Sequence, residues 1–290
     1  MKCSRVKVNL KTIRRRFVSL IASSFTVITA VLTFITFEDL QILNPFLKLV
    51  ILLILVVVLG GVAVLLVLLR KKHTICDETN CNISIMYGDL MQKGFQKKSK
   101  QKQIVVIPVN QCFDLTCKNG LIRELSVHGQ WIKNYIKSDE EWKELNSKVQ
   151  AQLAKEYSQG KQLTREEKKE GNLLRYPAGT IIETPSKYNE NITFYLLALA
   201  SLDSELKAQC SELEFHTALL ELLRFYDTHG QGMEMFIPVM SDKTIKPPRP
   251  TKNCIDFMLS VLEFNKSDIR GKINVVVYNE LKDKVSIFDN

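Results

Sequence analysis

The chain has 290 residues and a formal net charge of +9. That length suits one domain with a substantial core plus an appendage, and falls short of two full domains. Residues 1–72 hold eleven of the 40 basic residues and two of the 31 acidic ones, leaving 29 of each sign in the remainder. The soluble portion is therefore neutral, which excludes a nucleic-acid partner, since that needs surplus positive charge on the folded domain. The cysteines at 3, 76, 81, 112, 117, 210 and 254 show no zinc-type spacing and no histidine pair to complete a site. They read as free thiols in a reducing compartment, with no metal.

In chain order, Phe17–Phe37 comes first and Leu49–Leu69 second, each a charge-free run of 21 residues. A helix of that length spans about 31 Å, enough to cross a bilayer. The first run carries Ser19, Ser23, Ser24, Thr26, Thr29, Thr33 and Thr36, whose hydroxyls can bond to the preceding turn or to a neighbouring helix. The second is Leu, Val and Ile, broken at Gly60, Gly61 and Ala63. Joined by Glu38–Lys48, the two runs predict a transmembrane hairpin over residues 1–72. Seven basic residues precede it, Arg70, Lys71 and Lys72 follow it, and Lys48 alone lies in the loop. Both termini and the soluble domain are therefore expected in the cytoplasm, on a two-pass protein of the inner membrane. The flanking charge also attracts anionic lipid.

Residues 73–81 read as a polar connector and 82–290 as an α/β domain. Asn82–Tyr87 alternates as a half-buried strand, and Gly88-Asp89-Leu90 turns the chain. Gln103–Val109 is an apolar run typical of a strand buried on both faces. A helix is expected over Gly120–Ile136. A second, opened by Ser138 and Glu141 as a capping box, should run to about Gln159, and Thr164–Glu167 should open a third. Strands follow at Gly179–Thr184 and Ile192–Leu199, a helix at Ser211–His229 and a strand at Met233–Val239. A helix at Cys254–Phe264, a strand at Ile273–Tyr278 and a short last strand at Val285–Phe288 complete the pattern. Alternating strands and helices argue a three-layer α/β/α domain, with its ligand at the carboxyl ends of the strands.

Several of these segments resemble a macro domain. Gly88-Asp89-Leu90 is similar to that family's Gly-Asp-Ile turn, and Val109-Asn110 to its Val-Asn before the first ligand loop. Tyr176-Pro177-Ala178-Gly179-Thr180 resembles its Pro-Gly segment, and Phe236–Met240 the strand leading to its phosphate loop. Asn110–Asp114 and Ser126–Gly129 resemble, more narrowly, the macro-domain effectors of Thoeris antiphage systems, which carry two transmembrane helices before the domain.

The resemblance implies a membrane-anchored effector that senses an ADP-ribose-derived messenger made by a TIR-domain enzyme, then perturbs the inner membrane as a homo-oligomer. No cofactor is implied beyond that ligand. Asp89, beside Leu90, would accept hydrogen bonds from the adenine amine, or else cap its turn. Asn110 would hold the distal ribose hydroxyls, or else bond its own loop. Phe113 and Asp114 would shape that loop. His128 closes a helix turn or packs against the first loop, and no partner group at a recognisable spacing makes it catalytic. The phosphate loop is expected over Ser241, Lys243 and Thr244. It departs from the family in lacking glycine through Pro250, so Lys243, Lys246 and Arg249 would supply charge where amides usually do. The rival readings are a membrane-tethered ADP-ribosyl hydrolase and a non-catalytic anchor for a protein partner.

Overall fold

A computed structural model describes residues 2–32, 44–157, 159–230, 232–240 and 245–288. Two compact units emerge: Met1–His73 with Glu280–Asn290, and Thr74–Asn279.

The first unit contains α1 (Lys2–Val8), α2 (Leu10–Leu32) and α3 (Pro45–Leu69). Asn44 starts α3, its Oδ1 accepting from the Phe46 amide at 2.9 Å, and Pro45 occupies the first helical position, where a missing N–H costs nothing. Among the described residues, one helix, Phe46–Leu69, is long and apolar enough to cross a membrane. The expected partner helix at 17–37 is instead part of α2, which begins at Leu10 and takes Lys11, Arg14, Arg15 and Arg16 into its first turns. Residues 33–43 lie outside the described chain, so a two-helix hairpin reduces here to one apolar helix beside a second with a basic start. Thr26 and Thr29 donate to the carbonyls of Ala22 and Phe25, four residues back. Gly60 faces α2, where an added Cβ would touch Phe17 at 3.6 Å, whereas Gly61 has open space around it.

Val285–Phe288 forms no strand. Its alternation fits a strand period, but these residues are buried within the helical unit through side-chain hydrogen bonds. Ser286 Oγ donates to Asn9 Oδ1 at 2.8 Å and accepts from the Phe288 amide at 3.1 Å. Ser4 Oγ donates to the Asp283 carbonyl at 2.8 Å, and Val285, Ile287 and Phe288 are all buried.

The second unit is built on strands β1 (Lys72–Asp77), β2 (Cys81–Gly88), β3 (Gln103–Asn110), β4 (Lys161–Gln162), β5 (Leu174–Arg175), β6 (Ile181–Pro185), β7 (Ile192–Leu202), β8 (Ala208–Ser211), β9 (Glu234–Pro238), β10 (Ile245–Lys246) and β11 (Gly271–Tyr278). Between them run helices α4 (Leu90–Gly94), α5 (Val127–Tyr135), α6 (Asp139–Glu156), α7 (Glu212–His229) and α8 (Thr251–Phe264). The described strands form one large sheet in the order β1-β2-β11-β9-β3-β7-β8-β10, with β6 also on β7 and a separate β4-β5 pair. Its centre, β2-β11-β9-β3-β7, is parallel throughout. That is why Ile104–Ile107 and Phe194–Ala198 are wholly buried: helices cover both faces.

On one face, α4, α5 and α6 set Leu90, Trp131, Tyr135, Leu145 and Leu153 against Val105, Ile107 and Phe194. Trp131 stacks on Tyr135 at 4.9 Å. On the other face α7 packs on β7, Phe225 meeting Tyr195 edge-on at 5.1 Å, and α8 packs on α7. Ser211 caps α7 in a full capping box with Glu214. The expected helix over Gly120–Ile136 starts only at Val127, because Asn119 and Gly120 take left-handed backbone (φ 56° and 72°) that a helix cannot continue. The residues expected as a connector contribute β1 instead.

Gly129, in the first turn of α5, tests this packing. Helix propensity alone favours alanine there by roughly 1 kcal/mol. A Cβ, however, would stand 2.2 Å from the Arg123 carbonyl, backbone that a flexible side chain cannot relieve. Gly129→Ala should therefore destabilise by roughly 1–3 kcal/mol, lowering the Tm of the full chain in detergent by about 5 °C. A rise in Tm would refute the tight approach.

Candidate functional site

The carboxyl ends of the central strands carry the rim. Gly88 ends β2 and Asp89 caps α4, its Oδ1 accepting from the Met91 amide at 2.9 Å. Asp89 is half-buried, and its second oxygen takes no hydrogen bond among the described residues. Leu90, its neighbour, is packed into the core. Strands β11 and β9 lie between β2 and β3, so Asp89 and Asn110 sit three strand steps apart, about 14 Å.

Asn110 ends β3 at a bulge, where the register with β7 shifts. Both ends of its carboxamide bond within its own loop. Nδ2 donates to Asp114 Oδ2 at 2.8 Å, while Oδ1 accepts from the amides of Cys112 and Asp114 at 3.2 and 3.1 Å. Asp114 in turn pairs with Lys168 at 2.6 Å, with 2% and 0% of the two side chains exposed. Lys168 also donates to the Asn172 carbonyl at 2.6 Å, and the Asn172 amide donates to Asp114 Oδ1 at 2.7 Å. The Asn172 side chain donates to the carbonyls of Cys112 and Phe113. Gly171 makes this approach possible, because its φ is +79° and a Cβ would fall 2.2 Å from Asp114 Oδ1. Burial pushes the Asp114 carboxyl up, and the Lys168 ammonium with three hydrogen-bond donors pulls against it.

The rest of the loop is fastened as firmly. Phe113 is wholly buried in left-handed backbone (φ 51°), its ring edge-on to Tyr176 at 6.1 Å. Gln111 donates to Glu214 on α7 at 2.9 Å and accepts from the Tyr176 amide at 2.8 Å. His128 lies beneath, its pKa pushed down to about 3 by burial, against a hydrogen bond to the Asp114 backbone; its Nε2 has no partner. A neutral imidazole in that position fills space and does not move protons to solvent. Burial also pushes the thiols of Cys81 and Cys210 up, to about 11 and about 12. Among the described residues no cluster of His, Cys, Asp and Glu could hold a metal.

The loop after β9 is reached through Met240, which is buried, but Ser241, Lys243 and Thr244 lie outside the described residues. The two cations expected beyond it lie in the described chain. Lys246 belongs to β10 at the sheet edge, paired with Ser211 of β8, and the Arg249 guanidinium is held by Glu212 on α7.

The family model described as "Thoeris protein ThsA, Macro domain" matches residues 83–278. The chain belongs to the Thoeris ThsA macro-domain family. Among curated proteins, the Thoeris protein ThsA of Bacillus amyloliquefaciens (strain Y2) is 24% identical over 288 residues, covering 96% of this chain and 88% of that relative. Among solved structures, a variant of the Oceanobacillus iheyensis macrodomain with ADPR is 13% identical, covers 73% of this chain and 92% of its own, and has a TM-score of 0.47. The same macrodomain with ADP gives 13%, 74%, 93% and 0.46. The macrodomain of Mycobacterium tuberculosis DarG gives 10%, 67%, 96% and 0.37.

Within this ThsA-type macro domain the site residues read from sequence divide into three sets. Asp89 stands at the rim with an uncommitted oxygen. Asn110, Phe113 and Asp114 come together but face inward, as the skeleton of the first loop. Ser241, Lys243 and Thr244 are not described. Sequence reasoning missed Lys168 and Asn172, which sit in a stretch where Thr164–Glu167 was expected to open a helix. There Thr164 and Glu167 bond each other reciprocally, yet close only one turn, and Lys168 leaves it for the interior. An unpartnered Asp114 in an apolar stretch was the signal that a buried cation was needed.

Lys168→Met should leave a buried carboxylate without its partner, costing roughly 3–5 kcal/mol and lowering Tm by about 10 °C. The double variant Lys168→Met/Asp114→Leu should recover much of that loss, and equal melting of single and double would contradict the pairing. His128 supplies a pH test. Its folded pKa of about 3 lies below the ordinary 6.5, so the unfolded chain binds the proton more readily. The stability it contributes is present above pH 6.5 and declines as pH falls from there towards 3. Melting at stepped pH should show a slope in this window that is shallower in His128→Gln by up to about 1.4 kcal/mol per pH unit.

Proposed function

We propose that the chain is a membrane-held receptor in antiphage defence, whose macro domain binds an ADP-ribose derivative made by a TIR-domain enzyme. The observation that carries this reading is Asp89, half-exposed at the end of β2 with one carboxylate oxygen uncommitted, in a domain of the ThsA macro family. The adenine amine would donate to that oxygen. The distal ribose would lie over the loop after β3, about 14 Å along the rim. Because Asn110 Oδ1 and one Nδ2 N–H bond within its own loop, the ribose would meet mainly backbone and loop surface there, with Asn110 acting chiefly through shape. The diphosphate would cross the loop after β9, near Ser241, Lys243 and Thr244.

In this reading α3 anchors the domain on the cytoplasmic side of the inner membrane. Ligand binding would favour a homo-oligomeric state of the membrane helices that perturbs the bilayer. Such coupling requires a ligand that prefers one state of the domain over the other. A hydrolase reading has less support, since burial keeps His128 from solvent and lowers its pKa, leaving it inaccessible and weakly basic.

Calorimetric titration of the detergent-solubilised chain with ADP-ribose tests the receptor. Losing a hydrogen bond to a charged group costs about 1.5–3 kcal/mol, so Asp89→Ala should weaken binding roughly tenfold to a hundredfold. Asn110→Ala should instead act first on stability, by roughly 1–3 kcal/mol, because it orphans buried partners. No heat of binding at millimolar ligand would sink the receptor reading. Release of ADP-ribose from a modified peptide would replace it with the hydrolase.

A further inference from the structure

The helical unit contains a cavity of about 420 Å³ at the carboxyl end of α3. Arg16 of α2 and Arg70, just past α3, bring two guanidiniums to it, while Leu66, Val67, Leu69 and Phe288 supply apolar wall. Arg16 makes no hydrogen bond or ion pair among the described residues. Arg70 uses only Nε, donating to the Lys72 carbonyl at 3.0 Å, and lays its guanidinium 5.8 Å from the Phe288 ring centre. The described acidic residues of this unit are Glu280 and Asp283, and neither lines the cavity. Among the described residues, no acidic group offsets the two charges where the apolar helix ends. Their convergence is felt nearby: beyond the effect of burial, Arg70 and then Arg16 push the His73 imidazole further down.

We propose that this cavity binds the headgroup of an anionic glycerophospholipid, with Arg16 and Arg70 clamping its phosphodiester and Leu66, Leu69 and Phe288 covering the glycerol backbone. Planar guanidiniums suit paired phosphate oxygens, and a basic pocket at the end of a membrane helix lies at headgroup depth. A soluble phosphate would gain nothing from the apolar wall, whereas the first carbons of an acyl chain would continue along the apolar surface of α3. The inference rests on α3 crossing a bilayer and is independent of what the macro domain binds.

The test uses the full chain reconstituted in vesicles of phosphatidylcholine alone or mixed with phosphatidylglycerol. After extraction in neutral detergent, the lipids retained by the protein are quantified by mass spectrometry. Phosphatidylglycerol should be enriched about tenfold over phosphatidylcholine. Arg16→Gln/Arg70→Gln should abolish that enrichment, while Arg14→Gln/Arg15→Gln, which removes equal charge outside the cavity, should keep it. Equal losses in the two double variants would mean diffuse attraction and overturn the site. Thermal unfolding of the unaltered chain gives a second readout: micelles doped with phosphatidylglycerol should raise Tm, and added glycerol 3-phosphate should not. A matching rise with glycerol 3-phosphate would reject the lipid as the source of the phosphate. Failure of the chain to float with vesicles of either composition would remove the membrane reading, and this site with it, leaving ADP-ribose binding untouched.

Discussion

Lys168 and Asp114 form an ion pair from which water is excluded, and the architecture of the rim depends on it. Removing two charges from water costs several kilocalories per mole for each, repaid only when geometry and further hydrogen bonds are good. Here Asp114 receives the ammonium, the Asn110 amide and the Asn172 backbone, while the ammonium also reaches the Asn172 carbonyl. That arrangement ties two segments 54 residues apart in sequence. A Leu–Met pair in the same space could be as stable, so stability alone does not account for it. What the ions add is direction: Oδ1 of Asp114 fixes the Asn172 backbone, and Oδ2 holds the side chains of Asn110 and Lys168. An apolar pair would let the loop after β3 slide.

That rigidity has a consequence for recognition. A bound ligand pays less in entropy when the surface it meets is already ordered. Phe113 in left-handed backbone, Gln111 anchored to α7, and Asn110 bonded to its own loop are all held before any ligand arrives. The rim is thus asymmetric. The β3 side is preformed and inward-bonded, and the β2 side keeps Asp89 with one oxygen open to solvent. In the receptor reading proposed above, selectivity at the β2 side would come from hydrogen bonding and at the β3 side from shape.

Much of this was legible in the sequence, for identifiable reasons. The central strands stood out because burial on both faces imposes unbroken apolar runs, as in Gln103–Val109 and Ile192–Leu199. Helix α6 was marked by the capping pair Ser138 and Glu141, and α7 by apolar periodicity through Leu213, Leu219, Leu220 and Leu223, signals that are both local. What could not be read depended on distant partners. Lys168 stands among Arg165, Glu166, Glu167, Lys169 and Glu170, a run that looks solvated, and nothing local separates the one buried member from the rest. Asn110 was correctly placed at the end of its strand, with both roles open, because a carboxamide can serve a ligand or its own loop equally well. β8 and β10 are too short to carry a period, and β10 exists only by pairing with β8. Val285–Phe288 has a strand's alternation without a sheet edge to receive it, so the apolar pattern was right about burial and wrong about form.

The C-terminal segment changes what coupling between ligand and membrane would require. If the α/β domain ran to the end of the chain, a single peptide after α3 would join it to the helices. Instead the chain crosses between the two units twice, at His73 and again at Asn279. The second crossing leaves from β11, which lies between β2 and β9, two of the strands whose carboxyl ends make the rim. It leads to Phe288, which forms one wall of the cavity holding Arg16 and Arg70. A single flexible tether transmits position poorly, since it tolerates many arrangements of what it joins. Two crossings give the chain two covalent routes between the units, and the segment after the second is fixed within the helical unit by the Ser286–Asn9 hydrogen bond. The second route runs from the end of β11 through the exposed and half-buried residues 279–284 to the buried Val285–Phe288 segment of the helical unit.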